Sequence, residues 1–122
     1  MNILHTSLTS LIHQRLQYLN KRSEVLTGNI ARADMPGAKR QEIRPFRDIA
    51  KQKTINFSHQ DSVNSQQYTL DLSAKDIKTE DKEIEREMEI MEMNHNTLNH
   101  QALLDIVSNF YKLYKYAISR SG

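Results

Sequence analysis

Two apolar stripes of helical period, one near each end of the chain, constrain the fold more than any other feature. In the first, Ile12, Leu16, Leu19, Ser23, Leu26, Ile30 and Ala33 follow one another at spacings of four and three. Leu4, Leu8, Leu11, Tyr18 and Val25 run beside them. This spacing predicts one helix over residues 3–33, longer than three heptads, as expected for the seam of a bundle or coiled coil. In the second, Met93, Thr97, His100, Leu104, Val107, Tyr111, Tyr114 and Ile118 form the main stripe. Leu103, Ile106, Phe110, Leu113 and Ala117 run alongside, and Ile84, Met88 and Met91 extend an apolar edge upstream. A helix from about residue 80 to 119 follows. The expected seam is Ile12, Leu16, Leu19, Leu26 and Ile30 on one side, and Leu104, Val107, Tyr111, Tyr114 and Ile118 on the other.

The first helix has a built-in stop. Pro36 biases Met35 away from the right-handed helical region, so the helix should end near Ala33 or Asp34. Gly37 can take the positive φ of a sharp exit. Gly28, inside the helix, costs about 1 kcal/mol relative to Ala and is best tolerated where another backbone comes close.

The middle is polar. Residues 38–53 carry Lys39, Arg40, Arg44, Arg47, Lys51 and Lys53 against Glu42 and Asp48, with Ile43, Phe46 and Ile49 as scattered anchors. Pro45 argues against a continuous helix there, and the run reads as an extended basic arm. Residues 54–80 are rich in Ser, Asn, Gln, Thr and Lys; Val63, Tyr68, Leu70 and Leu72 alternate faintly, enough for one short strand. Thr79 suits an N-cap, with Glu80, Asp81, Glu83, Glu85 and Glu87 crowding the turns where carboxylates favour the helix dipole. The chain thus divides into an N-terminal helix (1–34), an arm with a polar excursion (35–79) and a C-terminal helix (80–122). The expected class is mainly all-α: two long terminal helices paired as an antiparallel coiled coil.

Composition supports this. Hydrophobic residues make up 38% of 122 residues, below the usual globular fraction, and most lie in the two end stretches. Those helices need each other, or another chain, to cover their faces. The net charge of +2 is too mild to imply nucleic acid. Without cysteine there is neither a disulfide framework nor a thiol nucleophile. The N-terminus lacks the basic start and apolar block of a signal peptide, and no apolar run approaches the length of a membrane span.

Asn29, Ile30, Ala31, Arg32, Ala33, Asp34, Met35, Pro36 and Gly37 resemble the signature of flagellar basal-body rod proteins, which runs Asn-hydrophobe-Ala-Asn-x-x-Thr-Pro-Gly-Tyr. Asn29, Ala31, Pro36 and Gly37 match; Arg32, Met35 and Ala38 stand where that family has Asn, Thr and Tyr. Arg22 and the lead-in Glu24, Val25 and Leu26 are also similar, as is the closing run Tyr114, Lys115, Tyr116, Ala117 and Ile118. The resemblance covers both end thirds. It implies a non-catalytic structural subunit of the bacterial flagellar rod, without cofactor, in which Asn29, Ala31, Pro36 and Gly37 form an assembly motif. The implied partners are itself, other rod proteins, the basal-body junction protein, the membrane ring and the export gate. No small-molecule substrate or nucleic acid is implied. The implied place is the basal body across the periplasm, reached by the flagellar type III apparatus without a cleavable signal. The short middle segment is similar to the proximal type of rod protein, where longer members insert a folded domain.

Other chemistries are weaker. Glu92 and His95 share a helical face, half of the motif of carboxylate-bridged metal bundles, but only Glu24 faces them from the first helix. His95 and His100 lie on different faces, and His5, His13 and His59 have no partner in sequence. Asp71 and Asp76 lie in the polar middle, a poor place to hold a perturbed acid. There is no nucleophile elbow or phosphate loop, and no enzyme activity is expected. The alternatives are a nucleic-acid binder using the basic arm around Phe46, or a cytoplasmic coiled-coil adaptor. The basic arm and the acidic helix start are complementary, so Arg40, Arg44 and Arg47 are expected to meet Glu83 and Glu87 between subunits rather than within one chain.

Overall fold

In the computed structural model the described residues are 2–57, 70 and 72–121, with side chains placed for 8–51, 70 and 72–120. Among them the order is α1 (Asn2–Arg32), β1 (Lys39–Ile43), α2 (Phe46–Phe57), a 3-10 turn (Ala74–Asp76), β2 (Ile77–Glu83) and α3 (Arg86–Ser121). The fold is mainly helical, with one two-stranded sheet.

α1 ends where the sequence predicts. The chain turns through residues 33–37, with Met35 N–H donating to Arg32 C=O at 3.0 Å and Ala38 N–H to Met35 C=O at 3.2 Å. Gly37 sits at φ +75°, the left-handed region that other residues avoid. The close approach expected at Gly28 is absent: a Cβ built there meets nothing within 4 Å.

α1 and α3 lie side by side in opposite directions. Asp34 meets Arg86, Asn29 meets Glu89, Arg22 meets Glu92 and Leu19 meets Asn96, so positions fall along one helix as they rise along the other. At about 1.5 Å per residue the helices span roughly 46 and 54 Å.

The middle corrects two expectations. The arm is not extended throughout: Lys39–Ile43 is a strand, but a helix begins at Phe46. Pro45 starts that helix rather than preventing one, its C=O accepting from Asp48 and Ile49 N–H at 3.0 and 3.3 Å. Proline suits a first turn, where its missing N–H has no intrahelical partner in any case. Nor does the C-terminal helix begin at residue 80. Ile77–Glu83 pairs antiparallel with β1, with Ile43 opposite Ile77, Gln41 opposite Thr79 and, past a register shift, Lys39 opposite Glu83. Thr79 is therefore a strand residue, and α3 starts at Arg86. Leu70 and Leu72 are not in a strand; Val63, Tyr68 and Asp71 lie outside the described residues.

The core is small and sits at the middle of the helix pair. Tyr18, Leu19, Ile43, Ile49 and Leu70 are buried together, with Phe46, Leu72 and Leu103 packed around them. Tyr18 and Phe46 meet as tilted rings with centroids 5.5 Å apart. Val25 and Leu26 continue the buried stripe toward the helix stop. Beyond Leu103 the apolar residues of α3 are exposed: Leu113 is 68% exposed, Tyr111 59% and Ile118 54%.

This contrast predicts that Leu26→Ala costs about 2–5 kcal/mol, whereas Leu113→Ala changes the isolated chain's stability by less than about 0.5 kcal/mol. Urea denaturation followed by circular dichroism measures both.

Candidate functional site

The polar junction at the end of α1 begins with Asn29, which is fully buried. It uses its carboxamide as a strand would use a peptide group. Its Nδ2 donates to Gln41 C=O at 2.7 Å, and its Oδ1 accepts from Gln41 N–H at 3.0 Å. This two-point contact also fixes the amide's orientation, because the backbone of Gln41 offers one donor and one acceptor. The second proton on Nδ2 goes to Glu89 Oε2 at 3.0 Å, and Oδ1 accepts again from Arg32 Nη2 at 2.9 Å. Arg32 holds the turn as well, donating to Lys39 C=O at 3.2 Å and Gly28 C=O at 3.3 Å. One side chain therefore joins α1, β1 and α3.

Glu89 is 1% exposed, and a buried carboxylate is strongly unfavourable without a partner. Arg40 supplies it. Its guanidinium reaches Glu89 through Nε, Glu80 at 3.1 Å through Nη1 and Glu42 at 2.6 Å through Nη2. Burial opposes the charge on Arg40, but hydrogen bonds to Glu42 and Glu89 outweigh it and push its pKa further up. Glu42 links on to Arg22 at 3.5 Å, and Arg22 to Glu92 at 2.7 Å. The Arg22 hydrogen bond holds the Glu92 carboxyl below its ordinary range, against partial burial. On the same helix Asn96, also fully buried, donates to Leu19 C=O at 2.9 Å and Ser23 Oγ at 2.7 Å. Buried asparagines between helices fix register, because a slip leaves their polar atoms unpaired.

The sequence-predicted residues divide accordingly. Asn29 is an internal clip, its side chain enclosed and bonded within the chain. Ala31, Pro36 and Gly37 are exposed around the turn. Leu19 and Leu26 are buried, and Ile12, Leu16 and Ile30 half-buried. Leu104, Val107, Tyr111, Tyr114 and Ile118 are exposed, so the C-terminal half of the expected seam keeps much of its surface open. The electrostatic expectation is corrected for Arg40, which meets Glu80 and Glu89 of its own chain. Arg44 pairs with Asp76 at 3.3 Å and Lys39 with Asp81 at 2.9 Å. Asp76 is no loose middle residue: it is buried and accepts from Ser73 N–H at 3.0 Å. Arg47, Glu83 and Glu87 stay exposed, with no ion pair among the described residues.

Sequence reasoning missed Glu89, Asn96 and Arg32. The first two break the apolar pattern of a helix face, the only signal that marked them. Glu92 is engaged by Arg22 rather than by His95. Among the described residues no group of three His, Asp or Glu side chains is placed to hold a metal ion, and no helix is long and apolar enough to cross a membrane.

Asn29→Ala leaves both backbone groups of Gln41 and one oxygen of Glu89 without their partner, and should cost about 2–4 kcal/mol in denaturant titration. The lowered pKa of Glu92 belongs to the folded state. Its contribution is therefore present above its ordinary value of 4.5 and lost as the pH falls through the lower, folded-state value. Glu92→Gln should be less stable than the parent at about pH 7, and the gap should close on acidification below about pH 4.

Comparison with protein-family models, with curated proteins and with solved structures finds no match.

Proposed function

We propose that this chain is a structural subunit of the bacterial flagellar basal-body rod, of the proximal type. In this reading the terminal helices form an antiparallel coiled coil whose outer halves are completed by neighbouring axial subunits. The observation that carries the reading is the apolar surface left open over residues 104–120. There Ile106, Tyr111, Leu113, Tyr116 and Ile118 are all more than half exposed. An exposed apolar area of this extent marks an interaction site on a soluble domain. It lies on the helix that resembles the rod family's C-terminal region, opposite Leu8 and Leu11 of α1, which are themselves 41% and 51% exposed.

The mechanism is assembly rather than catalysis. The polar junction around Asn29 and Arg40 holds half of each terminal helix in a fixed register. The exposed apolar stripe of α3 is then buried against the next subunit. Partners follow from the resemblance: copies of the same chain, other rod proteins, the junction protein, the membrane ring and the export gate. Burying such stripes in succession stiffens an axial stack that transmits torque. The basic arm is a poorer polyanion track than its composition suggests, because Lys39, Arg40 and Arg44 are each paired with carboxylates of the same chain. This favours the rod reading over a nucleic-acid binder.

A tagged copy expressed in a flagellated bacterium should co-purify with hook–basal bodies; recovery only in the soluble cell fraction would instead identify an adaptor. In the isolated chain, backbone amides of residues 104–121 should exchange with solvent much faster than those of residues 89–103, because few tertiary contacts protect them.

A further inference from the structure

α3 carries a second apolar stripe, about a third of a turn away from the face that meets α1. The α1 face runs through Glu89, Glu92, Asn96 and Leu103. The outer stripe runs Met88, Met91, His95, Leu98, Ala102, Ile106, Asn109, Leu113 and Tyr116, all exposed. Its large apolar members are between 47% and 68% exposed. Steps of three and four occur in equal number, the spacing of a left-handed coiled coil. The steps also read the same in either direction from Ala102. Counting outward from it, Leu98 corresponds to Ile106, Met91 to Leu113 and Met88 to Tyr116. The two polar positions, His95 and Asn109, correspond to each other.

The ends of this stripe differ in charge. After Asp105 the chain has no acid, and Lys112, Lys115 and Arg120 follow. At the other end Met88 lines a groove of about 600 Å³ shared with the ribbon, walled by six carboxylates, Glu83 and Glu85 among them, against Arg40 and Lys82. The groove is net negative with both cations counted. Arg86, at the start of α3, is held by Asp34. From Glu87 to Lys112 is ~38 Å along the helix. That is several screening lengths at physiological salt, so neither end neutralises the other within the chain.

We propose that the outer stripe of α3 pairs with the same stripe of a second copy, antiparallel, about a two-fold axis at Ala102. Leu98 then packs on the partner's Ile106, and Met91 on the partner's Leu113. His95 meets the partner's Asn109. Imidazole and carboxamide can each donate and accept, and a polar pair within an apolar seam fixes register. Tyr116, with Arg120 resting on its ring at 5.6 Å, reaches the acidic groove at the partner's Met88. Arg120 falls between the partner's Glu83 and the partner's Glu85. A parallel pair would set acid against acid and base against base. The stripe matches itself under a half turn in size, polarity and charge, the self-complementarity of a two-fold interface. This inference does not rest on the rod reading. In a stack whose copies all point one way the antiparallel pair has no place, so it is a form of the free chain and competes with assembly for the stripe.

The test is sedimentation equilibrium and disulfide cross-linking of the purified full chain. It should dimerise reversibly between about 1 and 200 µM, and Leu98→Glu should weaken the dimer at least about tenfold by placing a carboxylate in the seam. Leu98 is exposed in the single chain, so the variant's helical circular dichroism should match the parent's. Because the protein has no cysteine, one introduced thiol reports the register. Ala102→Cys should link to its own copy under mild oxidation, whereas Leu113→Cys alone should link at least about tenfold more slowly. Mixed with Met91→Cys, Leu113→Cys should form the mixed dimer. A monomer throughout the concentration range overturns the proposal. Leu113→Cys that links to itself as fast as Ala102→Cys overturns the antiparallel arrangement. A dimer indifferent to Leu98→Glu also overturns it, and assigns self-association to the Tyr111 and Tyr114 face. None of these outcomes bears on co-purification with hook–basal bodies, which tests the rod reading.

Discussion

The structure depends on a carboxamide that pairs like a piece of backbone. Asn29 is the last buried side chain of α1, and it meets both polar groups of Gln41 just after the chain has turned back. A buried amide is costly unless its donors and acceptors are matched, and those of Asn29 are. Matching it forces β1 to run past the helix at one register. Its remaining proton reaches Glu89 and draws a carboxylate into the interior. That charge in turn demands Arg40, and Arg40 gathers Glu42 and Glu80 from the two strands. Each polar group makes the next one necessary. With few buried hydrophobes among the described residues, this linkage supplies the specificity that packing alone does not.

The helix pair is consequently unequal along its length. From Asp34 and Arg86 to Leu19 and Asn96 it is pinned by side-chain hydrogen bonds and ion pairs. Past Leu103 the apolar residues of α3 are exposed. A helix in this condition has little tertiary support, and its stability comes from propensity and from whatever covers it. Under the proposed rod reading, this division would give a subunit its own shape before assembly and leave surface to bury during it.

Charge is divided in the same way. Arg40, Arg22 and Arg44 work inside the chain. Arg47, Lys78, Glu83 and Glu85 are exposed and have no ion pair among the described residues. Exposed charges contribute little to stability, so the fold leans on the enclosed network rather than on these groups.

What the residues alone determined were the two long helices and the stop between them. A period of four and three survives any tertiary context in which one face is covered, and Pro36 with Gly37 restricts the backbone through covalent geometry. The tertiary structure decided the rest. Ile77–Glu83 carries carboxylates that suit a helix start as well as a strand edge, and Pro45 suits a helix start as well as a break. Local preference was balanced in both places, and Gln41, Glu80 and Arg40 tipped β2 toward pairing across long sequence distances. The same holds for Asn29, Glu89 and Asn96. A polar residue on a helix announces neither burial nor partner, because both depend on what another part of the chain brings to it in space.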